Sequence, residues 1–273
     1  MGLTTTEEME QRHQEDLQRL KAFRLMDDAF LTKCFEDDPQ YIQFVLRIVL
    51  EMPDLTVIDV RTQVFVENLL NRSVRLDVLA TDKDGRKINV EVQRSNQGAG
   101  RKRARYNSSM MDAGLVPKGE DFDVLPETYV VFITEHDVMG EGKPVYWIER
   151  YFSGSNRKFE DGSYILYVNG AYRDESPIGK LMHDFACTDP AKMHYDELAE
   201  RVRFFKESKE GTTVMCKILE DLRNESEKRG EEREKKRTVR SMLQDGDLTL
   251  EKIAKISQLS LDEVKRLQAE WEM

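Results

Sequence analysis

Long apolar runs are missing from this 273-residue sequence. No stretch approaches the roughly 20 residues that cross a bilayer, which predicts a chain with no membrane span. The N-terminus also lacks the apolar core of a secretory signal. Met1-Gly2-Leu3-Thr4-Thr5-Thr6 fits a myristoylation pattern, but nothing basic or apolar follows to give a second membrane signal, so the match reads as chance. Cysteine is scarce. Cys34, Cys187 and Cys216 have neither paired nor metal-ligand spacing, which excludes a disulfide scaffold and points to a reduced cytoplasm. Histidine is scarce too: His183 and His194 have no partners at ligand spacing, and His136 sits between Glu135 and Asp137 in what reads as surface. No histidine is taken as a site residue. Basic charge in excess is also absent, since a net charge of −10 excludes a protein built uniformly for nucleic acid.

What is present supports a folded chain. Hydrophobic residues make up 39% and charged residues 34%, enough for one substantial domain and an appendage. The richest stretch is Val74 to Gln93. Leu76, Val78 and Ala80 alternate with Arg75, Asp77, Leu79 and Thr81; after Lys83-Asp84-Gly85, Ile88, Val90 and Val92 alternate with Asn89, Glu91 and Gln93. Alternation of this kind marks two half-buried strands, and Gly85 can take the left-handed conformation that ends a three-residue hairpin loop.

That loop length sets Asp82 opposite Arg86, and therefore Asp77 opposite Glu91 and Arg75 opposite Gln93. The apolar residues then share one face. Like charges directly across a strand pair cost stability, whereas a hard divalent cation asks for such oxygen ligands. Two readings follow: a solvated acidic hairpin edge, or a metal site. A two-residue loop would shift the register by one and separate the pair.

From Arg86 to Lys118 there are eight basic residues against two acidic ones, Glu91 and Asp112. A basic segment beside the acidic pair suggests a local phosphate-binding surface; the alternative is an ordinary solvated helix face. A helix is predicted from about Ala99 to Met111, with Arg101 and Arg105 on one face and Lys102 beside Tyr106.

An Asp near a strand start followed by Glu-x-Lys on the next strand is the signature of PD-(D/E)xK nucleases. RLDV…NVEVQ, followed by an Arg-rich segment ending in Arg-Tyr, resembles the transposase-like branch, the recombination-promoting nucleases, from about Asp27 to the C-terminal helices. Gln93 stands where Lys is usual, as it does in that branch. The resemblance implies an α/β, restriction-endonuclease-like core, with a mixed central sheet flanked by helices, plus a C-terminal helical extension. It implies a metal-dependent DNA endonuclease linked to recombination. Asp77, Glu91 and Gln93 are its catalytic residues, and Asp77, Glu91 and the carbonyl of Val92 its ligands for Mg²⁺, with Mn²⁺ as a substitute. Arg75, Arg94, Arg101, Lys102, Arg105 and Tyr106 face DNA, and Arg75 offers the charge that Gln93 lacks. Asp27 and Phe30 match the branch's Asp-x-x-Phe opening, Asp27 reading as a helix cap and Phe30 as core. One site per chain, set against two strands, favours a homodimer. The alternative from another class is a catalytically weak or inactive DNA-binding protein derived from such a nuclease, a reading that Gln93 and the acidic net charge support.

The remaining elements follow from pattern. Residues 1–26 read as a frayed or surface-lying polar helix, and 27–222 as the core domain. Asp38-Pro39 starts a helix, Thr56–Val66 is a strand, and Asn68–Ser73 is the turn into the hairpin. Thr128–Thr134 is a strand buried on both faces, with shorter strands at Tyr146–Phe152 and Tyr164–Val168. Helices are expected at Asp196–Lys206 and Val214–Leu222. Residues 223–237 read as a charged helical spacer or flexible linker, and 238–273 as a small helix-turn-helix-like module in which Ser260 to Glu263 forms a capping box.

Overall fold

A computed structural model describes residues 5–36, 38–68 and 72–272. The chain divides into two compact units, Met1–Met215 and Cys216–Met273.

The first unit begins with three helices, α1 (Thr5–Lys21), α2 (Asp28–Phe35) and α3 (Pro39–Val49). Asp38 caps α3 by accepting from Gln40 N–H, with Pro39 at the first helical position. α1 is anchored, not merely surface-lying: Leu20 is buried, as are Leu25 and Met26 just beyond it. Strands β1 (Val57–Val66), β2 (Val74–Asp82) and β3 (Lys87–Gln93) follow. Residues 69–71 of the expected β1–β2 turn lie outside the described residues, as does most of the N-terminal myristoylation pattern.

After β3 come α4 (Arg101–Ala113), β4 (Thr128–Thr134), β5 (Val145–Ile148) and β6 (Ser163–Asn169), then α5 (Pro177–Ala186) and α6 (Asp196–Glu207). The sheet has the order β1-β2-β3-β4-β6-β5. β2 pairs antiparallel with β1 and β3, β4 pairs parallel with β3 and β6, and β5 returns antiparallel on β6. β3, α4 and β4 thus form a β-α-β unit in a mixed sheet.

α4 covers one face, where Ala104 and Met111 pack with Val130, Phe132 and Tyr167. The alternate positions Val131, Ile133, Val90 and Val168 are also fully buried, so the central strands are covered on both sides. β4 is buried along its whole length, as expected. β3 is not half-buried as its alternation suggests: Asn89 and Glu91 on its polar side are both fully buried. The cause is topological, because β3 is paired on both edges and roofed by α4.

Helix α7 (Lys209–Asp245) runs from the first unit into the second, so the charged stretch takes its helical alternative. Glu, Lys and Arg are good helix formers, and the stretch needs no apolar face to continue. In the second unit Val239 packs with Ile253 of α8 (Leu250–Ser257) and with Val264 and Leu267 of α9 (Leu261–Glu272). Ser260 Oγ accepts from Glu263 N–H at 3.2 Å while Glu263 accepts from Ser260 N–H at 2.9 Å, the expected capping box.

Candidate active site

The hairpin loop is the three-residue one. Gly85 has φ +85°, and Asp82 Oδ1 accepts from the N–H groups of Asp84 and Arg86 at 3.0 and 2.8 Å. β2 and β3 pair from Thr81↔Lys87 to Val78↔Val90. One step further along that register, Asp77 lies across from Glu91. There the ladder gives way to a side-chain contact, Val92 N–H donating to Asp77 Oδ2 at 3.3 Å.

The other edge of β2 is distorted at the same level. Pairing with β1 steps from Thr62↔Val78 to Val64↔Leu76, and Gln63 between them has φ +53°. Left-handed backbone costs a non-glycine residue about 1–2 kcal/mol. Gln63 is held there by its amide, which donates to Asp28 Oδ1 at 3.2 Å and Thr32 Oγ1 at 3.0 Å on α2. Leu76 and Leu79, which strict alternation would put on opposite faces, pack into one cluster under α4. The expected single apolar face of β2 is therefore broken at Asp77.

Neither carboxylate is a solvated edge. Asp77 is 7% exposed and Glu91 0%. Glu91 Oε1 accepts from Asn89 Nδ2 at 3.0 Å and Oε2 from Arg103 Nη2 at 3.1 Å. Burial raises Asp77 to about 8, helped by the charges of Glu91 and Asp28 and opposed by the Val92 N–H and Arg103. Burial also raises Glu91, while Asn89 and Arg103 pull it back. Glu91 has more partners for its charge than Asp77, whose one hydrogen bond, from Val92 N–H, is long.

Asp77 stands at a groove of about 1160 Å³, while the fully buried Glu91 is not among its lining residues. Asp77, Val92 and Gln93 line it, with Arg75, Arg94, Lys102, Arg103, Arg105 and Tyr106 around them and Asp28 beside Met26. The oxygen donors are those a Mg²⁺-type ion takes. A dication would also offset the repulsion and burial that raise both groups, so the residues present fit such an ion.

The sequence-derived site residues do not all converge. Arg101 lies in a separate hollow with Tyr146, Trp147 and Tyr167. Arg94 lines the groove while paired with Asp27 at 2.8 Å and Glu135 at 3.3 Å. Asp27 sits at the N-cap of α2 but makes no side-chain cap bond; its carboxylate instead accepts from Arg24 N–H at 2.8 Å. Tyr106 Oη donates to the carbonyl of Arg72.

Two residues escaped sequence reasoning. Asp28 is a third carboxylate in the groove, brought there by α2 and the Gln63 contact. Arg103 is the guanidinium on Glu91, whereas the charge missing at Gln93 was expected from Arg75. Its Nη1 also donates to Gln93 Oε1 at 3.3 Å and to the Gly98 carbonyl at 3.0 Å. A signal for Arg103 existed in Arg101-Lys102-Arg103-Ala104-Arg105, but which of these bases meets β3 depends on the rotation of α4 against the sheet.

The mixed six-stranded sheet flanked by helices is consistent with a PD-(D/E)XK α/β fold. Residues 42–169 match the family model of PD-(D/E)XK nuclease family transposases. The match spans Asp77, Glu91, Gln93 and α4; Asp27 and Asp28 precede it. No curated protein and no solved structure matches the chain.

Proposed function

We propose that the chain is a metal-dependent DNA endonuclease whose cuts serve recombination or mobile-element activity in the cytoplasm. The observation that carries this reading is the buried pair Asp77 and Glu91, of which Asp77 lines a groove edged by six basic side chains. Asp77 and Glu91, with the carbonyl of Val92, would hold Mg²⁺ or Mn²⁺. Such an ion supplies positive charge at a phosphate oxygen and lowers the pKa of a bound water. The chain's own residues do the rest. Gln93, its oxygen engaged by Arg103, keeps its amide N–H groups to hold a water. Arg103 supplies the fixed positive charge that a Lys in place of Gln93 would give. Arg75, Lys102 and Arg105 hold the phosphate backbone without reading sequence, and a homodimer would cut both strands. Among the described residues no helix is long and apolar enough to cross a membrane. Cutting of supercoiled plasmid by the purified chain, with Mg²⁺ against EDTA, tests the reading.

Two variants probe the charge arrangement. Arg103→Ala lowers single-turnover nicking by about 10²–10³-fold, the range for losing one preorganised electrostatic donor. Arg103→Lys recovers only part, because Lys lacks the fork that reaches Glu91, Gln93 and Gly98 together. Gly98→Ala acts through space: a Cβ there would lie 1.9 Å from Gln93 Oε1. The end of Gln93 must move, so nicking falls by about tenfold or more while the melting temperature stays within about 2 °C of the parent.

A further inference from the structure

Beyond the groove, the molecule holds a second set of metal-ligand side chains, in the first unit and outside the family match. His183 and Asp184 lie in the last turn of α5, and His194 directly precedes Tyr195, the N-cap residue of α6. His183 Nδ1 is 3.0 Å from Asp184 Oδ1, His194 Nδ1 is 3.1 Å from the same oxygen, and the two Nδ1 atoms are 3.1 Å apart. No placement of protons turns all three edges of this triangle into hydrogen bonds. An imidazole nitrogen carries one proton or one lone pair; if both donate to Asp184 their N–H groups face each other, and if either does not, lone pairs meet. One cation above the triangle satisfies all three atoms.

We infer that His183, Asp184 and His194 bind a transition-metal dication, Zn²⁺ before others. Two imidazoles and one carboxylate suit zinc, whereas Mg²⁺ prefers oxygen alone. Zn–N bonds of about 2.0–2.1 Å put tetrahedral ligands about 3.3 Å apart, so the edges need to open only slightly. Asp184 is fully buried and already oriented. His194 N–H donates to both its oxygens at 2.8 and 2.9 Å, and Tyr195 N–H to Oδ2 at 2.9 Å, the outer-shell support that metal ligands have. His183 and His194 are partly exposed, at 38% and 39% of their side chains, which leaves the fourth position to water. The ion clasps the end of α5 to the start of α6. The same end of α5 carries the Phe185 carbonyl that accepts from Met26 N–H at 3.1 Å, so the clasp braces the segment leading to Asp28.

The test uses the full, tag-free chain, stripped with EDTA and titrated with Zn²⁺ against a chromogenic chelator. Asp77→Asn/Glu91→Gln serves as a background lacking the groove carboxylates. Both should bind one tight equivalent of Zn²⁺. His183→Ala and His194→Ala should lose more than the about 10–100-fold in affinity that outer-shell changes cost. Co²⁺ added to the parent chain should give the intense visible bands of a tetrahedral centre, a readout that needs no variant to fold. No tight equivalent in the parent, no such Co²⁺ bands, or an equivalent kept by both histidine variants would each overturn the site. So would its loss in the groove background alone.

Discussion

Asp77→Asn should make the metal-free chain more stable at pH 8 and remove its response to Mg²⁺. Burial raises both Asp77 and Glu91 in the folded chain, so ionising them works against folding. Stability from this pair is full below the ordinary carboxylate range near pH 4. It is lost as pH rises toward about 8, where Asp77 gives up its proton. Mg²⁺ reverses the loss because it binds the ionised folded form. At about 100 times its Kd it adds about 2.7 kcal/mol, or about 5–10 °C for a domain of this size, and binding releases protons near neutrality. Asp77→Asn has no charge to bury, so in EDTA its melting temperature at pH 8 exceeds that of the parent, and Mg²⁺ leaves it unmoved. Melting curves at pH 5 and pH 8, with EDTA or Mg²⁺, report all of these. A parent chain that melts higher than Asp77→Asn at pH 8 in EDTA contradicts the electrostatics.

Asp77→Ala and Glu91→Ala should each lower metal-dependent nicking by on the order of 10³-fold or more, and the double variant should be little worse than either. Groups that act as one unit are not additive, and in the proposed site both hold the same ion. DNA binding in EDTA persists in all three, since Arg75, Lys102 and Arg105 are untouched and phosphate contacts carry most of the affinity. Gel-shift titrations beside single-turnover cutting separate the two effects. Cutting that survives the double variant places the chemistry elsewhere.

The part of this site that local sequence could encode was legible. Alternation on both sides of Lys83-Asp84-Gly85 requires the observed register, and Gly85 adopts the left-handed turn it was expected to. The boundaries of β4 were legible because a wholly apolar run needs cover on both faces. The β2 pattern misled at Asp77, where the left-handed Gln63 on the neighbouring strand breaks the alternation. The burial of Asn89 and Glu91 was hidden too, because it comes from α4 and from pairing on both edges of β3. Arg103 was one base among several until the rotation of α4 was known. Asp28 needed a contact across 35 residues to Gln63. His183 and His194 had no ligand spacing in sequence, yet a turn of α5 and the loop to α6 bring their rings to a centroid distance of 4.4 Å. Chain-distant partners leave no periodic trace.

Whether the proposed Asp77–Glu91 site works as a metal-dependent nuclease is decided by one assay. The most direct measurement is conversion of supercoiled plasmid to nicked circles by the purified chain, with Mg²⁺, Mn²⁺ or EDTA. Nicking is expected with either ion, none in EDTA, and none from Asp77→Ala with any addition. Plasmid that stays supercoiled in every lane while the chain still binds it would overturn the nuclease reading, and would identify a DNA-binding descendant in which Gln93 marks a silent site.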